Sequence, residues 1–427
     1  MRVKPIVLVM ALACILTVGR ADASQVHVIE IEGPIGPVTA NFIKDEIERA
    51  VMEEAACLVL EVDTPGGLDT SMRDIIQDII ASEVPVVVYV SPGGARCASA
   101  GVFIAMSADA VGMTPGTSIG AAHPVTIGEA EVDEETMDKI VNDSASYIKS
   151  LAAKRGRNEE WAESAVRESA TATAEEALEL GIIDAVTDNL DDLLTEIDGK
   201  EIDEAKGGTL KTKGALTKRI DMSLRYRLLG VLSNPNVAYL LLILGFYGLF
   251  FELSNPGSIF PGVLGAIFLI LAFFSFQMLP INYAGLLLIF LAVGFFIAEI
   301  WVTSGGLLTV GGAVAMFLGS LMLIESPAPF LKISLKVILP AVIATAAFFA
   351  FAVGAGLRAQ RRKPTTGKEG LIGEHGVATT DIDRSGQAFI HGERWTVVSA
   401  DRIAKGEEVE VVSVKGLKPE VRRVSSG

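Results

Sequence analysis

The sequence predicts three parts in order: an α/β domain with a mostly parallel sheet, an all-α multi-pass membrane region, and a small all-β barrel. Three observations predict this. Strand-like runs alternate with helix-like ones between residues 24 and 200. Few charges interrupt residues 237–357. Short β-rich runs separated by glycines fill residues 368–424. At 427 residues the chain is too long for one ordinary core, so several domains are expected.

The N-terminus carries Arg2 and Lys4, then the apolar run Ile6–Val18, then Ala21-Asp22-Ala23. A basic start, a short apolar stretch and an A-x-A pattern read as a signal peptide, residues 1–23, removed after export. An uncleaved anchor is the alternative. Either places residue 24 onward outside the cytoplasm.

In the first domain, residues 24–200, Val26–Ile31, Cys57–Val62 and Val84–Val90 read as strands. Thr39–Met52 has helical periodicity. Leu68–Ala81 is amphipathic, with Ile75, Ile76, Ile79 and Ile80 on one side. Met137–Lys154 reads as a long helix and Glu175–Leu180 as a short one, closed by Gly181. Residues 201–236 read as a linker, polar through most of its length and rich in Lys and Arg.

The membrane region, 237–357, divides into five apolar segments at about 237–253, 258–278, 283–301, 306–324 and 337–357. Five crossings from an exported start put the C-terminus in the cytoplasm. Arg358, Arg361, Arg362 and Lys363 after the last segment agree with the excess of cations on cytoplasmic loops. Lys211, Lys213, Lys218, Arg219, Arg225 and Arg227 before the first segment do not. Either they sit at lipid headgroups or one segment is re-entrant. The tail, 358–427, is a basic linker and then the barrel, with strand-like runs Ala388–Ile390, Trp395–Val398 and Val409–Val414.

The formal charge is −16, and in the exported domain acids outnumber bases about three to one. Phosphate binding needs clustered cations, so nucleic acid is an unsuitable partner. Cys14 falls in the signal peptide, and Cys57 and Cys97 read as small buried residues. No metal or cofactor is expected.

Four features could carry chemistry. Asp63-Thr64-Pro65-Gly66-Gly67 follows a strand, where paired glycines let backbone N–H groups approach a ligand. Gly93-Gly94-Ala95-Arg96-Cys97-Ala98-Ser99-Ala100-Gly101 places Ser99 at a strand-to-helix turn, beside the positive end of a helix dipole. Lys139 could supply the base that a serine nucleophile needs, since burial favours a neutral amine. Lys149 and Lys154 on the same helix compete with it. Thr114–Gly120 is a small-residue loop suited to lining a cleft.

In these residues the chain resembles the NfeD family of membrane-bound proteases, related to the Clp protease and signal peptide peptidase A superfamily. The matching pieces are Asp63–Gly67, Ala98–Gly101, Met113–Ala121, the helix with Lys139 and Tyr147-Ile148-Lys149-Ser150-Leu151-Ala152, and Glu175-Glu176-Ala177-Leu178 with Gly181-Ile182-Ile183. The resemblance implies a Clp-like, crotonase-type spiral domain, a multi-pass region and an OB-fold-like tail. It implies Ser99 as nucleophile, Lys139 as general base, and the N–H groups of Gly67 and Ala100 as oxyanion donors. His123, 24 positions beyond Ser99, is an alternative base, with Ser169 or Glu168 at the position of the third triad member. The resemblance further implies a homodimer of the protease domain, a lipid bilayer, and a stomatin-like membrane protein whose apolar segment is cut.

Two rival classes remain. A non-catalytic membrane scaffold would need neither Ser99 nor Lys139. An acyl-coenzyme A enzyme of related fold is disfavoured by export.

Overall fold

The computed structural model describes residues 25–125, 133–254, 257, 259–302, 304–324, 326, 331–360 and 368–424. The predicted signal peptide, Cys14, and Arg361, Arg362 and Lys363 lie outside the described residues. Contacts divide the chain into two units. One runs to Val293 and resumes over Val314–Val342, and the other comprises Gly294–Ala313 and everything from Ile343.

The first unit begins with alternating elements: β1 (Gln25–Glu32), α1 (Pro37–Met52), β2 (Cys57–Asp63), α2 (Asp69–Ala81), β3 (Val86–Val90), β4 (Arg96–Ala98), α3 (Ala100–Ser107), β5 (Ala110–Met113) and β6 (Ser118–Gly120). Then come α4 (Glu134–Lys154), α5 (Glu159–Arg167), β7 (Thr171–Thr173), α6 (Ala174–Glu179), β8 (Ala185–Val186), α7 (Leu190–Glu196) and β9 (Leu216–Arg219). Six strands form a sheet in the order β8-β5-β3-β2-β1-β9, and every pair in it is parallel. A second sheet, β4-β6-β7, stands apart from it.

The central strands are buried on both faces, which is why they read as continuous apolar runs. Leu58, Leu60 and Val62 of β2 face α1, α2 and α3 in one core. The alternate residues Cys57 and Val59 pack with Leu190, Leu193 and Leu194 in another. Helix α4 starts earlier than the periodicity predicts, because the Asp133 side chain accepts from Thr136 N at 2.6 Å and caps it.

A buried ionic network closes α3. Arg155 donates to the Ser107 carbonyl at 2.7 Å and Arg157 to the Ala108 carbonyl at 2.9 Å. The Asp109 carboxylate joins this network, pairing with Arg155 at 2.7 Å and with Lys206 at 2.8 Å.

 Arg157 binds Asp184 at 3.0 Å, and Lys200 binds the same carboxylate. Burial alone would raise the Asp184 carboxyl, but Arg157 and Lys200 hold it below its ordinary value.

The stretch read as a linker is folded in part. β9 extends the main sheet beside β1. Lys206 is buried against Asp109 and the Ile79 carbonyl. Helix α8 (Leu224–Leu232) follows. Its polar composition hides these elements because the contacts that hold them come from residues far away in sequence.

Five apolar helices then match the five predicted segments: α9 (Pro235–Ser254), α10 (Ile259–Phe276), α11 (Tyr283–Trp301), α12 (Leu307–Met322) and α13 (Leu335–Gln360). The first three are long and apolar enough to cross a membrane, and Leu307–Met322 and Leu335–Phe351 are shorter apolar helices. Glycines let α9 and α10 approach closely: a Cβ at Gly248 would lie 2.6 Å from Gly265 Cα.

The second unit ends in α14 (Lys368–Leu371) and a closed barrel of β10 (His375–Ala378), β11 (Ser385–Ile390), β12 (Glu393–Val398), β13 (Glu408–Lys415) and β14 (Lys418–Arg423), in the order β10-β11-β12-β14-β13. Ala388, Ile390, Val397, Val409, Val411 and Val421 fill its interior. This is the small barrel that the glycine-spaced runs predict.

Candidate active site

The turn after β2 is knitted to β4. Thr64 N donates to Arg96 O at 2.8 Å and Ala98 N to Thr64 O at 3.1 Å. The Thr64 hydroxyl accepts from Gly66 N at 3.0 Å. On the other side, Ile35 N donates to Gly66 O at 2.8 Å and Leu68 N to Ile35 O at 2.9 Å. Neither Gly67 N–H nor Ala100 N–H has an intramolecular acceptor among the described residues. Ala100 is the first residue of α3, where helical N–H groups have no partner within the helix.

Ser99 sits between β4 and α3 with φ 52° and ψ −116°. For a residue with a Cβ this is strained backbone, costing on the order of 1–3 kcal/mol, and such strain persists only where the surroundings enforce it. Here they do. Ser99 N donates to Gly120 O at 3.2 Å and Val102 N to Ser99 O at 3.0 Å. A Cβ on Gly66 would lie 2.5 Å from Ser99 Cβ and 2.9 Å from its Oγ. A Cβ on Gly101 would lie 2.7 Å from Thr64 Cγ2. Nearby Cys97 is no rival nucleophile, because burial pushes its thiol up to about 12.

Ser99, Gly67, Ala100, His123 and Lys139 line one cavity of about 740 Å³. Met72, Phe103, Ala122, Ile140 and Leu331 give it apolar walls. The cavity thus brings together the nucleophile, both candidate bases and the two donors that the sequence nominates, whereas the loop Thr114–Gly120, Glu168 and Ser169 do not line it. Lys139 is exposed and pairs with Glu135 at 2.8 Å, and no hydrogen bond links it to Ser99.

His123 is half-buried, and its Nδ1 lies 2.8 Å from the Val166 carbonyl. A carbonyl accepts only, so Nδ1 carries the proton and Nε2 keeps its lone pair in the neutral ring. Among the described residues neither Glu168 nor Ser169 makes a hydrogen bond to this ring.

Sequence reasoning missed two contributors. Arg73 on α2 binds Asp69 at 3.0 Å and Asp143 on α4 at 2.7 Å, with its guanidinium 4.7 Å from the Tyr147 ring centroid. This clamp fixes α4 one turn beyond Lys139. Leu331 reaches the cavity from between α12 and α13. Neither carries a local sequence signal, although an Arg facing an acidic helix is a pattern worth testing.

A strained serine at a strand-to-helix turn, beside free backbone donors in a chain with apolar helices, fits a membrane-bound serine protease. The chain is 37% identical over 405 residues to the membrane-bound protease PH1510 of Pyrococcus horikoshii, covering 92% of each. It is 26% identical over 438 residues to membrane protein NfeD1b of Bacillus subtilis, covering 95% of this chain and 94% of that one. It matches the NfeD1b N-terminal domain over residues 25–206, the NfeD integral membrane domain over 236–355, and the NfeD-like C-terminal, partner-binding domain over 368–423. The chain belongs to the NfeD family. A solved relative, the 1510-N membrane protease of Pyrococcus horikoshii specific for a stomatin homolog, is 33% identical, covers 48% of this chain and 97% of its own, and has a TM-score of 0.42.

Proposed function

We propose that this chain is a membrane-anchored serine endopeptidase in which Ser99 is the nucleophile and Lys139 the general base. The neutral amine of Lys139 takes the proton of Ser99 Oγ as Oγ attacks the peptide carbonyl. The N–H groups of Gly67 and Ala100 receive the oxyanion, and Lys139 then protonates the leaving amine. Water releases the acyl group by the same route. The single observation that carries this reading is the strained Ser99 in one cavity with two free N–H groups and the lysine. The ion pair with Glu135 is exposed, and such pairs are weak, so the amine can leave it when substrate enters.

The apolar walls fit an apolar peptide. The substrate class proposed is an apolar segment of a membrane protein of the stomatin type, in line with the specificity named for the 1510-N relative. The active domain would face outside, with five crossings and a cytoplasmic barrel that binds a partner, in line with the description of that domain.

A second reading makes His123 the base, because Val166 fixes its tautomer with Nε2 free. Cleavage of an apolar peptide by the full-length protein and by its Ser99→Ala, Lys139→Ala and His123→Ala variants tests both. The first two should lose activity by about 10³-fold or more, and the third should stay within about tenfold of the parent. Full activity of Ser99→Ala would end the protease mechanism. A dead His123→Ala beside an active Lys139→Ala would transfer the base role to the histidine.

A further inference from the structure

Helix α8 has two apolar faces, and protein covers one of them. At about 100° per residue, Tyr226 and Leu229 point one way and Leu224, Leu228 and Val231 the other. The Tyr226 ring lies 5.4 Å from Phe42, and its hydroxyl reaches the Asn41 carbonyl at 3.2 Å and the Asp45 carboxylate. Leu229 packs on the α/β core. On the opposite side Leu224 is 68% exposed, Leu228 56% and Val231 55%.

Arg225 and Arg227 are exposed and flank that stripe. Among the described residues neither forms an ion pair, whereas Lys218 pairs with Glu53 and Arg219 with Glu61. The helix also lies where the bilayer should begin. Only Ser233 and Asn234 separate it from α9. The Ser233 hydroxyl lies 3.2 Å from Met278 Sδ, just past the end of α10.

We propose that α8 is an interfacial helix: Leu224, Leu228 and Val231 bed into the bilayer surface, Arg225 and Arg227 meet anionic headgroups, and Tyr226 fastens the protease domain to it. An apolar stripe edged by arginines, continuous with a membrane helix, has the chemistry of a lipid surface. The same contact explains why a basic segment lies on the exported side, since headgroups hold it there. The proposal rests on the reading that α9 enters the bilayer.

Site-directed labelling of the full chain in vesicles tests it. An environment-sensitive fluorophore is placed on Leu228→Cys, on Leu244→Cys within α9, and on Leu178→Cys in α6. Cys14 is replaced by Ser in every variant, and Cys57 and Cys97 are buried, which leaves the introduced thiol as the reactive one. Vesicles contain phosphatidylcholine with or without phosphatidylglycerol, and spin-labelled lipids act as quenchers. The label at 228 should be quenched by shallow spin labels at least about threefold more than the label at 178, and more strongly in anionic vesicles. Adding Arg225→Glu and Arg227→Glu should remove the anionic preference.

Quenching at 244 without quenching at 228 would overturn the interfacial helix while leaving α9 in the bilayer. No quenching at 244 would overturn the spanning reading itself. Self-quenching between labels at 228, without lipid quenching, would assign the stripe to a second copy of the chain and reject the proposal. An anionic preference unchanged by the two glutamates would reject the arginine contacts.

Discussion

The two sides of the cleft are built differently. On the Ser99 side, Gly66, Gly101 and Gly120 pack so closely that an added methyl group would collide with neighbours. On the Lys139 side, the amine is exposed on the first turns of α4 and bound to Glu135. The difference teaches how the work is divided. In the proposed mechanism the nucleophile and oxyanion donors are set by the fold, whereas Lys139 must leave Glu135 to act as the base. Pre-set donors act without reorganisation during reaction, so the proposed mechanism assigns the rigid side to lowering the barrier.

The comparison can be broken on the rigid side first. Gly66→Ala should lower peptide cleavage by about 10²–10³-fold, because its Cβ would fall 2.5 Å from Ser99 Cβ and the glycine φ of 108° resists a side chain. Circular dichroism should show a folded protein. Wild-type turnover would mean that the turn yields more readily than its packing indicates.

A smaller effect is expected at the clamp on the Lys139 side. Arg73→Ala frees α4 from its bond at Asp143 and should lower kcat/KM by about tenfold, while thermal stability should change little because the partners Asp69 and Asp143 are exposed and such ion pairs are weak. Rescue by Arg73→Lys, which keeps the charge but not the paired geometry, should be partial. Unaltered kinetics in Arg73→Ala would show that α4 needs no anchor there.

The smallest effect on turnover is expected at the far end of α3. Arg157 caps that end and depends on Asp184, whose carboxyl is held below its ordinary value of 3.8 despite burial. A depressed carboxyl adds stability that is complete above the ordinary value and is lost as pH falls through the folded one. Asp184→Asn should therefore lower stability at neutral pH, by up to about 3 kcal/mol for a broken buried pair, and flatten the loss of stability below about pH 4. Urea unfolding at several pH values measures both. Equal acid sensitivity of the variant and its parent would remove Asp184 from the account.

Much of this was legible in the sequence. The alternating runs locate the parallel strands because both faces of the sheet are covered, and each of the five apolar segments becomes a helix. Ser99 is readable because small residues and glycines surround it between a strand and an apolar helix. What escaped depends on distant partners. Arg73 and Asp143 are 70 positions apart, and His123 and Val166 are 43 apart. Tyr226 reaches Asp45 over 181 positions, so α8 hides in a stretch whose composition resembles a linker. The early start of α4 turned on one cap, Asp133, which periodicity does not register.

The central claim is that Ser99 Oγ becomes covalently bonded to the acyl group with help from Lys139. Full-length protein is treated with a fluorophosphonate and the adduct is mapped by mass spectrometry. The account predicts an adduct on Ser99 that is largely lost in Lys139→Ala and kept in His123→Ala. An adduct on another residue, or one on Ser99 undiminished by Lys139→Ala, would contradict it.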